Sequence, residues 1–340
     1  MASKRVQYFD MLNVAACISV VALHCNQMVH TWQPGGNWLF ALAIEVLFYW
    51  AVPIFFMLTG ATLMEYRNRY DTKTFLRKRF ERTVIPFVAW SLILYQFVSV
   101  PLEGAYLGPR SFVNMLLNCQ IEQVYWFFFP LFSIYLSMPL LSRLAKNEDT
   151  ILYAVLVSFV LASVMPYLCQ ALGIQWSGSL SISAFSGMLL YVGLGYLLSK
   201  RDLSAGQRKI VYVLGIASMV FRYAYTAYFS GRIGAVDRLL FSYSAFPAVF
   251  QGIAVFVLFK SLDRIKLGER AQRTLSVLSS CSFGVYLIHK PILDRVVMGL
   301  FGVPMQSVLL RTLGVLVLYL VCVALVYVMR KLPVIQRLVP

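Results

Sequence analysis

Charge is scarce in this chain: of its 340 residues only 13% are Asp, Glu, Lys or Arg, while 60% are hydrophobic. A soluble domain carries about a quarter charged residues, so the polar surface that water requires is missing. Acidic residues are scarcer still, 14 against 30 Lys and Arg, which leaves a net charge of +16. Such an excess also occurs in nucleic-acid binders, but here the cations lie between apolar runs and form no aromatic-interleaved patch. No nucleic-acid partner is therefore expected, and membrane topology explains the charge better. Zinc-type cysteine spacing is absent among Cys17, Cys25, Cys119, Cys169, Cys281 and Cys322, and no metal is expected. Most of these cysteines fall inside apolar runs, where a thiol behaves as a small hydrophobe. Cys119 and Cys169 are the one pair whose positions near a common face allow a disulfide. A cleavable leader is not expected either. Val14-Ala15-Ala16-Cys17 looks like a lipoprotein cleavage box, but Gln7, Asp10 and Asn13 interrupt the stretch before it. The apolar run continues past Cys17, which predicts an uncleaved first helix.

What the chain does have is apolar runs of about 20 residues, the length that spans a hydrocarbon core as helix. They cover 11–31, 38–64, 84–101, 124–141, 150–172, 180–199, 209–229, 241–261, 275–297 and 307–329. The expected fold is all-α: a polytopic membrane protein of about ten transmembrane helices forming one transmembrane domain over residues 1–340. Only 65–83 and 102–123 are longer connections. With the N-terminus inside, 23 of the 30 Lys and Arg fall in cytoplasmic segments and only Arg110, Arg232 and Arg238 in the opposite loops. The positive-inside rule then places both termini in the cytoplasm.

Ionisable residues at membrane depth are costly and point to function by default. At a rise of about 1.5 Å per residue, His24 lies roughly 20 Å from the cytoplasmic end of the first helix. Glu45 lies about 10 Å below the outer start of the second. Arg222, His289 and Lys290 reach a similar level in the seventh and ninth. Five ionisable residues from four helices thus share one layer, which suggests a polar cavity opening outward. There a carboxylate such as Glu45 could hold the His24 imidazole in one tautomer and make it a general base. The alternative is structural: Glu45 and Arg222 neutralise each other and both histidines join helices by hydrogen bonds.

A second candidate site is 65–83, where seven cations face only Glu65, Asp71 and Glu81. Arg77, Lys78, Arg79 and Arg82 cover a wide arc of a helix and could clamp several phosphates. Positive-inside bias and lipid headgroups account for part of that charge.

Tyr8-Phe9-Asp10-Met11-Leu12-Asn13-Val14-Ala15, leading to His24, resembles the opening signature of the membrane-bound acyltransferase 3 family of bacterial envelope-glycan O-acyltransferases, in which Asp precedes Leu-Arg and His follows the Arg after ten intervening residues. Pro53-Ile54-Phe55-Phe56-Met57-Leu58-Thr59-Gly60 resembles its second-helix motif, and Phe75-Leu76-Arg77-Lys78-Arg79-Phe80-Glu81-Arg82 with Pro86 its basic entry to the third. Trp126-Phe127-Phe128 with Tyr135 and Pro139, and Ser282-Phe283-Gly284-Val285-Tyr286-Leu287-Ile288-His289-Lys290-Pro291, fit its fourth and penultimate helices. The resemblance covers essentially the whole chain. It implies that an acyl group, acetyl or another short chain, passes from cytoplasmic acyl-CoA to an acceptor at the outer face of the bacterial cytoplasmic (inner) membrane. It also implies a catalytic helix 1 histidine and basic residues on the CoA phosphates. One departure stands out: the family's helix 1 Arg is Asn13, so Lys4, Arg5 or another helix must supply its function.

The reading that follows is O-acyl transfer to a hydroxyl of an envelope or exported polysaccharide or lipid-linked sugar. His24 and Glu45 are the catalytic candidates, Arg77, Arg79 and Arg82 the CoA-binding ones, and Arg222, His289 and Lys290 the substrate-binding ones. A transporter or flippase of a lipid-linked glycan or small solute is the alternative, although no internal repeat and no Gly/Pro-broken helix pair is present. Gly193 and Gly195 read as close-packing positions. A third reading, a catalytically inactive scaffold, rests on Asn13 alone.

Overall fold

The computed structural model describes residues 5–99, 108–177, 179–180, 185–333 and 335–340. Every regular element among them is helical. Lys4, residues 100–101 of the third apolar run and 181–184 of the sixth lie outside the described residues. Helix α1 (Gln7–Cys25) is followed by α2 (Gly36–Phe48) and α3 (Ala51–Leu63). These two form one bent rod, and Pro53 explains the bend. A proline at that position clashes with the carbonyl four residues earlier, on Tyr49, and donates no hydrogen bond to it. The chain accordingly turns at Tyr49–Trp50 and resumes with Ile54 N–H on the Trp50 carbonyl at 3.1 Å.

The same device recurs. α4 (Thr72–Arg79) passes through a wide turn at Phe80–Val84 into α5 (Ile85–Leu94), which carries Pro86 in its first turn. After the short α6 (Pro109–Leu117) and α7 (Phe128–Leu144), α8 (Glu148–Ser158) widens at Phe159–Val164 before Pro166 in α9 (Met165–Ala171). There follow α10 (Met188–Lys200), α11 (Ala205–Ile233), α12 (Phe246–Leu262) and α13 (Glu269–Pro291). The chain closes with α14 (Val308–Arg311) and α15 (Leu313–Met329). Side chains cap the starts of several helices: Asn147 accepts from Thr150 N–H at 3.1 Å, and Ser204 and Gln207 form a reciprocal capping box.

Among the described residues, five helical stretches are long and apolar enough to cross a membrane: Gln7–Cys25, Gly36–Asn68, Gln123–Leu144, Glu148–Ala171 and Ala205–Ile233. Met188–Lys200, Phe246–Leu262 and Leu313–Met329 are shorter apolar helices. α13 is long enough but much more polar, because its exposed first turns carry Glu269, Arg270, Gln272 and Arg273, while Ser279, Ser282 and His289 lie on its buried face. That polar face is turned inward, and it builds the site described below.

α1 lies at the centre, with Leu12, Ala16 and Val21 at or near zero exposure, packed among α3, α13 and α15. The closest helix pair is α3 with α10. A methyl group on Gly60 would overlap the Val192 carbonyl, and one on Gly195 would overlap the Met57 backbone. Backbone-to-backbone approach of this kind lets dispersion hold helices together where lipid offers no hydrophobic drive. All six cysteines are free thiols, including Cys119 and Cys169. At the basic end, Lys260 Nζ donates to the carbonyls of Leu198 and Arg201 at 2.9 and 3.0 Å, closing the C-terminus of α10. Lys200 there pairs with Glu65 at 2.6 Å. Gly195→Ala should destabilise the detergent-solubilised protein by about 1–3 kcal/mol. Gly206→Ala, where a methyl meets nothing closer than Ser204 Oγ at 4.0 Å, should not. Equal thermal midpoints for the two variants would refute the close-packing assignment.

Candidate active site

Away from the basic end, a cavity of about 270 Å³ opens between α1, the bend before α3, the start of α7 and α13. His24, Glu45, Tyr49, Trp126, Tyr243 and Tyr286 are among its walls, with the exposed His30 and Arg238 also on its lining. On its wall, His24 Nδ1 lies 2.7 Å from Nε2 of the fully buried His289 behind it, and the two rings stack with centroids 4.9 Å apart. The direction of that hydrogen bond follows from the far side of His289. His289 Nδ1 faces the carbonyls of Tyr286 and Val285 at 2.9 and 3.1 Å, and carbonyls only accept. The proton of neutral His289 therefore sits on Nδ1, leaving Nε2 as a lone pair. That lone pair accepts from His24 Nδ1–H, so the lone pair of His24 is on Nε2. A neutral imidazole fixed in this tautomer is the form a general base requires.

The two-histidine chain depends on α13 being held in place, and its sequence makes that a problem. Pro291 has no N–H, so the Leu287 carbonyl four residues earlier loses its helical donor. Tyr125 fills the gap: its hydroxyl donates to the Leu287 carbonyl at 2.9 Å. In return, the Tyr286 hydroxyl donates to the Val124 carbonyl. This reciprocal clamp ties α13 to the turn Gln123–Phe127 within one helical turn of His289. Glu122, half-buried just before that turn, has its carboxyl raised above the ordinary carboxylate range by desolvation, with the Lys290 charge pulling the other way.

Of the remaining residues in the layer, Glu45 is buried on the wall of the same cavity, while the partner of His24 Nδ1 is His289, where the sequence reading placed a carboxylate. Arg222, 1% exposed, lies flat on the Tyr49 ring, 3.5 Å from its centroid. None of its three guanidinium nitrogens has a hydrogen-bond partner among the described residues. Tyr49 stacks on Tyr243 at 4.4 Å and Tyr243 on Trp126 at 5.8 Å, so an aromatic column runs from Arg222 along the cavity wall. Lys290 is engaged by Asp294, one turn along. Tyr243 and Asp294 gave no signal in the sequence: Tyr243 reaches the wall from the chain just before α12, and Asp294 is an isolated acid after a proline.

At the basic end lies a cavity of about 430 Å³ containing Asn13, Arg79, Tyr135 and Phe283, and beside it a wider one of about 1040 Å³. Arg79 is in both walls, and the wider cavity adds Arg82, Arg330 and Arg337. Arg77 instead points along the exposed surface with Nε 3.9 Å from Glu81. Arg330 and Arg337 come from the far end of the chain, and their cluster with 79–82 was invisible to a reading of 65–83 alone. Asn13 donates to Ser279 at 2.9 and 3.0 Å, Ser279 Oγ donates to Asp10 at 2.6 Å, and Arg5 donates to Asp10 through two nitrogens. A guanidinium thus sits beside Asp10 from position 5. Among the described residues no group of three or more His, Cys, Asp or Glu could hold a metal ion.

Residues 6–330 match the family described as acyltransferase domain, and the chain belongs to this acyltransferase 3 family. Membership implies an enzyme that works on an acyl donor. No curated protein and no solved structure matches the chain.

The clamp on α13 is directly testable. Tyr125→Phe strands the Leu287 carbonyl and should cost about 1 kcal/mol of stability, in the range of interhelical hydrogen bonds in membranes. Thermal melts of the two purified proteins would expose an absent effect.

Proposed function

We propose that the protein moves an acetyl or other short acyl group from cytoplasmic acyl-CoA to a hydroxyl of an extracytoplasmic envelope or exported polysaccharide. The observation that carries this reading is the lone pair on His24 Nε2, fixed by His289 in a cavity that backs onto a second cavity leading to the arginine cluster. The acceptor hydroxyl gives its proton to His24 Nε2 while its oxygen bonds to the thioester carbonyl carbon. The tetrahedral intermediate then collapses, the C–S bond breaks, and the CoA thiolate recovers the proton from His24.

His289 takes the tautomer-setting part in this scheme, and Glu45 serves as a carboxylate on the acceptor side of the cavity. Arg222, buried against the Tyr49 ring behind the cavity wall, supplies positive field for charge on the acceptor or the oxyanion. Lys290 contributes field more than contact, because Asp294 already engages it. Arg79 and Arg82, joined by Arg330 and Arg337, bind the CoA phosphates, and Arg77 adds to their field from the surface. We further propose ten membrane spans in one transmembrane domain, both termini in the cytoplasm, and residence in the bacterial inner membrane. Helix in each of the ten apolar runs and 23 of 30 Lys and Arg in one set of segments support that topology.

In proteoliposomes supplied with acetyl-CoA and a polysaccharide acceptor, His24→Ala should lower kcat by roughly 10²–10⁴-fold, the usual contribution of a general base. Turnover at the unmodified rate would remove His24 from the mechanism. Arg79→Ala combined with Arg82→Ala should weaken CoA binding in titration calorimetry, and an unchanged Kd would reject the arginine cluster as the donor site.

A further inference from the structure

The cavity at His24 and the cavity at Asn13 have one lining residue in common, Tyr286. The partition around it is thin. Consecutive residues Trp126 and Phe127 line opposite sides, and so do Val52 and Phe55, one helical turn apart on α3. Tyr286 is 8% exposed and is fixed at both ends. Its hydroxyl donates to the Val124 carbonyl, and its ring packs against Phe127 and Phe128 with centroids 5.4 and 5.7 Å away. One turn further along α13 is His289, its ring 5.7 Å from that of Tyr286. An aromatic ring held this firmly between two cavities sets the width of whatever passes from one to the other.

We propose that Tyr286 is the specificity-determining waist of a passage from the arginine cluster to His24, and that its ring limits the length of acyl chain delivered. The inference rests on the donor reading above. A short acyl group needs room for only a few atoms beyond the waist, whereas a long chain must coil in a cavity of about 270 Å³ or remain threaded past the ring. Replacing the ring with a methyl group joins the two cavities. Replacing Tyr with Phe keeps the ring and removes only the tether to Val124.

Two measurements test this. In the first, Tyr286→Ala should raise the ratio of kcat/KM for octanoyl-CoA over acetyl-CoA by roughly tenfold or more, the scale on which apolar pockets discriminate chain length. Tyr286→Phe should leave that ratio near its starting value. The second needs no catalysis. Val20→Cys, on the wall of the His24 cavity, is placed in a chain whose six native cysteines are replaced by Ala. An impermeant, anionic methanethiosulfonate reagent is then added only on the side of the arginine cluster. Labelling should be slow with Tyr286 or Tyr286→Phe and roughly tenfold faster with Tyr286→Ala, or with Tyr286→Leu should the Ala variant fold poorly. An unchanged labelling rate in the trimmed variants overturns the waist. Faster labelling in the trimmed variants, with no turnover of any acyl-CoA by the unmodified protein, keeps the waist and overturns the donor reading instead.

Discussion

The hydrogen bond from Tyr125 to the Leu287 carbonyl is the contact on which the candidate site depends most. Leu287 is fully buried, so no water reaches the carbonyl that a proline has left without a donor, and the donor must come from the protein. Pro291 creates the vacancy, and Tyr125, 162 residues away in sequence, fills it. That single requirement fixes the turn before α7 against α13. It thereby fixes Tyr286 on Val124 and sets the backbone carbonyls that determine the protonation pattern of His289. From His289 the order passes to His24. A backbone hydrogen-bonding need at one proline is thus converted into the chemical form of an imidazole two contacts away.

Prolines act this way elsewhere in the molecule, with different results. Pro53 bends the second apolar run and leaves Tyr49 at the bend, facing the cavity. Pro86 and Pro166 follow widened turns that reorient the helices carrying them. The glycines have the complementary part. Gly60 and Gly195 let α3 and α10 meet backbone to backbone, a rigid pair beside α1. Polar chemistry can be concentrated on α1 and α13 because the helices around them are held by close packing and internally satisfied hydrogen bonds.

Some of this was legible in the residues as written. Apolar runs and sparse charge gave an all-helical membrane chain, and the basic entry to α5 marked one end. Counting residues along each helix put His24, Glu45, Arg222, His289 and Lys290 at one depth. The contacts within that layer were not legible. Depth along a helix comes from the rise per residue, but the direction a side chain faces depends on how neighbouring helices rotate and cross. Hence the partner of His24 Nδ1 is His289, 265 residues away, and Lys290 meets Asp294, an acid outside the layer as counted. Arg330 and Arg337 joined Arg79 for the same reason. Nor was it legible that Arg5 reaches Asp10 from the chain just before α1.

The sequence by itself determined the solvent, the helical architecture and the family, because composition, run length and motif order are properties of the chain read in one dimension. The tertiary structure alone decided which polar groups touch, which nitrogen of His24 is free, and that Tyr286 lines two cavities at once. Those outcomes depend on contacts between residues more than 100 positions apart, and on buried backbone groups that must find partners inside the protein because water does not reach them.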